Sequence, residues 1–394
     1  MAKKSKKGPW QETILNAARP TALKSGTADH LLSTRDITMR QKLFIHIGPH
    51  KTGTSSLQRF LFNNQKALLK RGVFYPIAHL SDFDAQHRLA FAILGKTDPN
   101  DRQIPSREAD IVPILNEIKS SRADTAIISS EAFFPADTTA IQFLHDQLHE
   151  FTPVVVFYAR RQDEGYVSTY TQRAKSPRHR YAQPIHTHLD HPVSMSRDLD
   201  IYQQVSNWAR VFGKENVAAR LYNREITVPA DFLRCVDERR TESPPLASMM
   251  DRFKASKDIN KSPSLEATEL MRLSKSQCDD PEVRQITIDL LQKQFESGRS
   301  AAKLLSTADR RAILEFFRPS NDKLFREYFS CENKFAPELL LTGEETGRET
   351  LTIGEAAKMI VELVEGTPYA RARRVIAAAS RWQRVRWRKS KMEF

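Results

Sequence analysis

The segment LFIHIGPHKTGTSSLQ, which runs from Leu43 to Gln58, constrains the fold of this chain more than any other stretch. An apolar, β-prone run from Leu43 to Ile47 predicts a short buried strand, and apolar residues after Ser56 recur at helical spacing. Between them, Gly48 to Ser56 holds two glycines, one lysine and four hydroxyl side chains. A strand that leads through such a loop into a helix N-terminus is typical of an anion-binding site, because backbone N–H groups and the helix dipole point at the same place.

The position of the lysine indicates which kind of anion loop this is. The Walker A pattern of ATPases and GTPases, GxxxxGK[ST], places lysine directly after the second glycine. Here Thr54 follows Gly53, and Lys51 comes two residues before that glycine. The spacing therefore predicts a phosphate loop that differs from those of ATPases and GTPases. A Ser/Thr-rich surface turn without a ligand is the alternative.

The order Lys-Thr-Gly-Thr-Ser after a strand resembles the 5′-phosphosulfate-binding loop of sulfotransferases, enzymes that use 3′-phosphoadenosine-5′-phosphosulfate (PAPS). The resemblance implies that the reaction transfers a sulfonate group from PAPS to a hydroxyl or an amine, leaves adenosine 3′,5′-bisphosphate and requires no metal. It implies that Lys51 neutralises charge on the leaving phosphate and the bridging oxygen. It also implies that the 5′-phosphate is bound by backbone and hydroxyl donors of Thr52, Gly53, Thr54, Ser55 and Ser56.

A second segment strengthens this resemblance. The apolar run from Val154 to Tyr158 predicts a buried strand, and Arg160 and Ser168 follow it, about one hundred residues after the first loop. The Arg-x7-Ser pattern resembles the 3′-phosphate-binding segment of sulfotransferases. A guanidinium suits a terminal phosphate because its planar fork donates two parallel hydrogen bonds. Taken alone, Arg160 and Arg161 would indicate a surface salt bridge.

Two residues are candidates for the general base that an acceptor hydroxyl needs. Glu131 follows the predicted strand from Thr125 to Ser129, and the carboxyl ends of parallel strands face the crevice in which open α/β sheets bind ligands. His87 lies near the start of a predicted helix, and the near-neutral titration of histidine suits proton transfer. The alternatives are a helix-capping carboxylate for Glu131 and a structural histidine for His87.

Predicted strands and amphipathic helices alternate along the chain, and this pattern predicts an α/β fold. We expect a three-layer, P-loop-like architecture with a central, mostly parallel sheet flanked by helices, and with a helical C-terminal extension. The helix after the first loop is expected to run to about Lys70, and the last helix of the domain to be interrupted at Pro319. The resemblance to bacterial sulfotransferases covers roughly Gln41 to Phe329.

Composition along the chain predicts four regions. These are a disordered basic tail over residues 1–39, a sulfotransferase domain over 40–330, a linker with an amphipathic helix over 331–368, and a basic amphipathic helix over 369–394. The two basic ends carry nearly all of the net charge of +13, so the predicted domain is close to neutral. A nucleic-acid partner is therefore not expected. The last helix, with Trp382 and Trp387 as anchors, is a candidate for peripheral contact with an anionic membrane surface.

Other sequence features limit the cellular location and the kind of substrate that we expect. The chain shows no apolar run near the ~20 residues of a membrane span, no signal-peptide pattern and three scattered cysteines, so a cytoplasmic protein is expected. The loop from Lys175 to Ser196 should face the acceptor, a small molecule or a carbohydrate. Its four histidines lack metal-ligand spacing, so no metal site is predicted. An ATP-dependent P-loop kinase and a non-enzymatic nucleotide-binding scaffold with a membrane-binding tail remain the alternatives.

Overall fold

The computed structural model describes residues 40–81, 84–96, 106–179, 183–223, 227–240, 245–247, 250, 262–275, 280–340 and 346–366. Five strands form one sheet, and every neighbouring pair of strands runs parallel, in the order β2-β3-β1-β4-β5. The strands are β1 (Lys42–Gly48), β2 (Val73–Phe74), β3 (Thr125–Ser129), β4 (Thr152–Ala159) and β5 (Val217–Leu221). The predicted α/β class with a central parallel sheet is therefore confirmed.

The helices of the described residues alternate with these strands and then continue after β5. They are α1 (Thr54–Asn63), α2 (Gln65–Leu69), α3 (His87–Ile93), α4 (Arg107–Ser121), α5 (Thr138–Gln147), α6 (Gln162–Lys175), α7 (Ile201–Phe212), α8 (Val228–Asp237), α9 (Leu265–Ser274), α10 (Pro281–Gln294), α11 (Thr307–Leu324) and α12 (Ile353–Gly366).

Alternation along β1 produces the three predicted layers. Successive side chains of a strand point to opposite faces of the sheet. Leu43, Ile45 and Ile47 pack into one buried cluster with residues of α3, α4, α5 and α7. Phe44 packs into the cluster on the other face, with residues of α1 and α8. The sheet is thus covered by helices on both faces, as expected for a parallel sheet.

The register of the sheet brings the ends of the central strands together. Lys42 of β1 pairs with Thr125 of β3 and with Thr152 of β4. Since the three strands run in the same direction, their carboxyl ends lie at one edge of the sheet. The segments that follow β1, β3 and β4 carry Lys51, Glu131 and Arg160, so the fold places these three residues at the edge where such sheets bind ligands.

Two helices differ from the prediction. The helix after the first loop is divided at Asn64, whose side-chain amide donates to the Phe60 carbonyl oxygen at 2.9 Å and thereby takes up one of the last carbonyls of α1. The expected interruption at Pro319 is absent, because α11 continues through it to Leu324. Burial of one face of α11 compensates for the backbone hydrogen bond that a proline removes.

The segment after residue 345 packs on the rest of the fold. Leu351, Ala356 and Met359 contact a cluster formed by α9 and α10. Arg299 binds Glu349 at 3.1 Å and Glu355 at 3.2 Å. The predictions for residues 1–39 and 369–394 lie outside the described residues. None of the helices in the described part of the chain combines the length and the apolar composition that crossing a lipid bilayer requires.

Candidate active site

The loop after β1 has a tightly constrained backbone. Lys51 has a φ of 66°, and Gly53, which caps the N-terminus of α1, has a φ of 78°. A Cβ atom on Gly53 would lie 2.7 Å from Val228 Cγ2 in α8, so both the backbone and the packing require glycine at this position. Thr52 is fully buried, and its hydroxyl donates to the Pro49 carbonyl oxygen at 2.7 Å. That hydroxyl therefore holds the loop together.

The N-terminus of α1 has the electrostatic character of an anion site. No side chain caps it, and its first turn contains no acidic residue. The positive end of the helix dipole is thus not compensated by a carboxylate on α1 itself. Thr54 is buried, Ser56 is half-buried, and Ser55 is exposed on this first turn.

The segments after β1 and β4 are joined by a direct hydrogen bond. Arg160 Nη1 donates to the Lys51 carbonyl oxygen at 2.5 Å, and the guanidinium lies 5.0 Å from the centre of the Tyr222 ring. The two other guanidinium bonds go to Glu164 Oε2, at 3.2 and 3.3 Å. Burial lowers the pKa of Lys51, the positive charges of Lys175 and Arg160 lower it further, and the negative charge of Glu131 opposes them.

One face of α6 points at these two cations. Glu164, Ser168 and Gln172 are spaced four residues apart and therefore lie on one side of the helix. Glu164 binds Arg160, and Gln172 Oε1 accepts from Lys51 Nζ at 3.4 Å. Ser168 lies between these two contacts and is buried. The structure thus brings Ser168 to the same region as Lys51 and Arg160.

Arg161 has its main partner elsewhere, although its Nη2 also lies 3.8 Å from Glu164 Oε1. It binds Asp163 at 2.7 Å, and Asp163 is fully buried and also binds Arg310 at 2.6 Å. The salt bridge considered for this arginine pair is therefore present, for Arg161 with Asp163. Arg160 also binds a carboxylate, Glu164, but in addition it contacts the first loop.

Glu131 lies beside the end of β1. A Cβ atom on Gly48 would lie 2.9 Å from Glu131 Cβ, and the glycine allows this close approach. Ser130 caps the short helical turn that begins at Glu131, so the carboxylate is not the helix cap. Its Oε2 accepts from Gln58 Nε2 at 2.8 Å. Burial tends to raise the pKa of Glu131, but His87, His50 and the Gln58 amide outweigh burial, and the pKa is lowered.

His87, the second candidate base, is adjacent to the first. Its Nε2 lies 3.9 Å from Glu131 Oε1, and its Nδ1 lies 2.7 Å from Ser130 Oγ. Both candidates therefore belong to one cluster. The side chains of His87 and Glu131 are only 14% and 13% exposed.

The sequence analysis missed three members of this cluster. Gln58 is a buried polar residue on the apolar face of α1, and its position on that face was a signal for a role inside the protein. His50 directly precedes Lys51, and its Nδ1 lies 3.8 Å from Glu131 Oε1. Asp198, in a turn after the predicted acceptor-facing loop, lies with Oδ2 3.9 Å from His50 Nε2. No sequence pattern marks Asp198.

An open cavity of about 470 Å³ adjoins the site. It lies along β5 and is lined by residues that include Tyr222, Asn223 and Phe329. One of its lining residues, Tyr222, also contacts Arg160. The described residues contain no group of three or more His, Cys, Asp or Glu side chains arranged to hold a metal ion.

Comparisons with known proteins find similarities both in sequence and in structure. No family model matches the chain. An uncharacterized protein of Archaeoglobus fulgidus is 29% identical over 215 residues, which cover 53% of this chain and 55% of that protein. The chain thus matches about half the length of this curated relative. Among solved structures, a sulfotransferase from Alicyclobacillus acidocaldarius is similar at 19% identity and a TM-score of 0.35, covering 63% of this chain and 99% of that one.

Proposed function

We propose that this chain is a sulfotransferase that moves a sulfonate group from PAPS to a hydroxyl or an amine of a polar acceptor. The observation that carries the proposal is the hydrogen bond from Arg160 to the Lys51 carbonyl. It joins the segments that resemble the two phosphate-binding segments of sulfotransferases, and the charge of Arg160 acts on Lys51, whose pKa it lowers. PAPS carries a phosphate at each end of one ribose, so two cationic positions at the carboxyl edge of the sheet suit it.

The residues present fit such a ligand. The N-terminus of α1, with Gly53, Thr54, Ser55 and Ser56, would hold the 5′-phosphate through backbone N–H groups and hydroxyls. Thr52 would contribute through its backbone, because its hydroxyl is engaged with Pro49.

Arg160 and Ser168 would hold the 3′-phosphate. A guanidinium has five N–H groups, and the three bonds that Arg160 makes in the described structure leave two for an anion. The cavity beside Tyr222 would take the nucleoside, since Tyr222 lines it and also contacts Arg160.

Each side chain of the site would have a defined task. The bound donor supplies an activated sulfonate group with a phosphate as its leaving group. Lys51 would neutralise the charge that develops on that leaving group, because its ammonium lies at the end of the loop that holds the phosphate. Glu131 would accept the acceptor's proton, since its lowered pKa keeps it ionised and the Gln58 amide fixes its orientation.

Release of adenosine 3′,5′-bisphosphate from PAPS tests the proposal. The full chain is incubated with PAPS and a panel of amino sugars, neutral sugars and phenols, without added metal. We expect acceptor-dependent release of the bisphosphate, and a sulfonated product for at least one acceptor class. The absence of PAPS turnover with every acceptor, and with water, would reject the proposal.

A further inference from the structure

His50 lies between two carboxylates that come from different parts of the chain. Its Nδ1 faces Glu131 Oε1 at 3.8 Å, and its Nε2 faces Asp198 Oδ2 at 3.9 Å. The contact with Asp198 brings the phosphate loop next to the turn at Arg197–Leu199. Each ring nitrogen of His50 thus lies near a different carboxylate.

The exposure of His50 separates it from the other groups of the cluster. Its side chain is 52% exposed, whereas the side chains of Glu131 and Asp198 are 13% and 15% exposed. Exposed ion pairs of this kind contribute little to stability. His87 is 14% exposed, and its Nδ1 is held by Ser130. Of these groups, His50 is the one with direct access both to Glu131 and to solvent.

We propose that His50 removes the acceptor's proton from Glu131 and releases it to solvent, with Asp198 as the residue that orients the imidazole. The inference rests on the proposed sulfonate transfer. Once Glu131 carries the proton, Asp198 beside Nε2 favours the tautomer with its proton on Nε2, which leaves the lone pair of Nδ1 facing Glu131. The separation of 3.8 Å between Nδ1 and Glu131 Oε1 closes by a small movement of the ring toward Glu131.

The proton and electron pairs balance in each step. The acceptor's O–H bond breaks as its oxygen bonds to sulfur, and the proton goes to Glu131. The bond from sulfur to the donor's bridging oxygen breaks, and its electron pair goes to the leaving phosphate. Glu131 then gives its proton to His50 Nδ1, which forms an imidazolium between two carboxylates. The imidazolium loses a proton to water, so that Glu131 is again ionised for the next turnover.

Chemical rescue tests this role. In His50→Ala, the kcat for PAPS turnover should fall about 100-fold, the lower end of the range for loss of one proton-transfer group. The affinity for adenosine 3′,5′-bisphosphate should stay at the wild-type value, and added imidazole should restore kcat. Asp198→Asn should also lower kcat, but imidazole should not restore it, because the native ring is still present. His149→Ala, at an exposed histidine after α5 and outside the site, serves as the matched control and should keep the wild-type kcat.

The outcomes separate this inference from the proposed function. Wild-type kcat in His50→Ala, or a reduced kcat that imidazole leaves unchanged, would overturn the relay while the sulfotransferase proposal stands. If the wild-type chain neither binds the bisphosphate nor turns over PAPS, both the relay and the sulfotransferase proposal are wrong.

Discussion

Glu131 and Asp198 lie on either side of His50, and their surroundings move their pKa values in opposite directions. For Glu131, burial is outweighed by His87, His50 and the Gln58 amide, and the pKa is lowered. For Asp198, burial and the negative charge of Glu131 raise the pKa against the opposing effect of His50. Carboxylates whose environments separate their pKa values in this way take different roles in acid–base chemistry. Glu131 is the one that stays ionised, as a base must.

Replacing Glu131 by Gln tests this assignment. The amide keeps the shape of the side chain but cannot accept a proton, so kcat should fall about 10²-fold, with unchanged affinity for adenosine 3′,5′-bisphosphate. The part of the activity loss on acidification that Glu131 causes should appear only as the pH falls through a pKa below the ordinary 4.5. Glu150→Gln, at an exposed carboxylate, is the control. Full kcat in Glu131→Gln would exclude it as the base.

His46 gives the protein a predicted sensitivity to acid. Burial lowers its pKa from 6.5 to about 4, against the opposing charge of Glu131. The unfolded chain therefore binds this proton at a higher pH than the folded protein does. The stability contribution is complete above pH 6.5 and is lost as the pH falls toward 4. Between pH 7 and pH 5 the loss in free energy of unfolding should be about 2 kcal/mol.

Urea unfolding at the two pH values measures this loss. His46→Gln should show a smaller loss than the wild type, because the residue that replaces histidine does not titrate. His145→Gln, at a more exposed histidine, should behave as the wild type does. Equal pH dependence in wild type and His46→Gln would contradict the account.

At the scale of elements, neighbouring parallel strands determine which loops can share a ligand. β1 lies between β3 and β4, so the segments after these strands meet although they are far apart in sequence. Within the segment after β4, the adjacent arginines both lie near Glu164, at 3.2 and 3.8 Å, but their other partners differ. Arg160 donates to the Lys51 carbonyl oxygen, whereas Arg161 binds the buried Asp163 at the start of α6.

This pair supplies a matched test of the anion site. In Arg160→Ala, the affinity for adenosine 3′,5′-bisphosphate should fall about 10- to 100-fold, because hydrogen bonds to charged groups contribute about 1.5–3 kcal/mol. Affinity for adenosine 5′-monophosphate should change much less, since it lacks the 3′-phosphate. Arg161→Ala should leave both affinities unchanged, as measured by titration calorimetry. Equal losses of affinity for the two nucleotides would exclude Arg160 as a ligand of the 3′-phosphate.

The sequence predicted the parts of the site that follow regular strands. Lys51, Glu131 and Arg160 each come shortly after an apolar, β-prone run, and parallel pairing brings such ends together. Asp198 could not be predicted in this way, because it lies in an irregular segment that has no periodicity to define its path. The engaged hydroxyl of Thr52 was also missed, because a side-chain bond to a nearby carbonyl depends on the conformation of the loop.

At the scale of the whole molecule, the segment over residues 346–366 belongs to the folded body through both apolar and ionic contacts. Leu351, Ala356 and Met359 cover the cluster of α9 and α10, and Arg348 binds Asp309 at 2.6 Å. A chain that ends at Leu340 should therefore lose about 3 kcal/mol of stability relative to one that ends at Gly366, mainly from lost apolar burial. Urea unfolding of both chains measures the difference. Equal midpoints would show that this segment does not stabilise the fold.

The central claim is that the site binds a nucleotide with a 3′-phosphate, and ligand-induced thermal stabilisation tests it most directly. The full chain is heated with adenosine 3′,5′-bisphosphate or with ATP, each with and without Mg²⁺. A ligand at 100 times its Kd adds about 2.7 kcal/mol to the free energy of unfolding, which is readily measured. We predict metal-independent stabilisation by the bisphosphate and little by ATP. Stabilisation by Mg²⁺-ATP in preference to the bisphosphate would contradict the account and indicate a kinase-type phosphate loop.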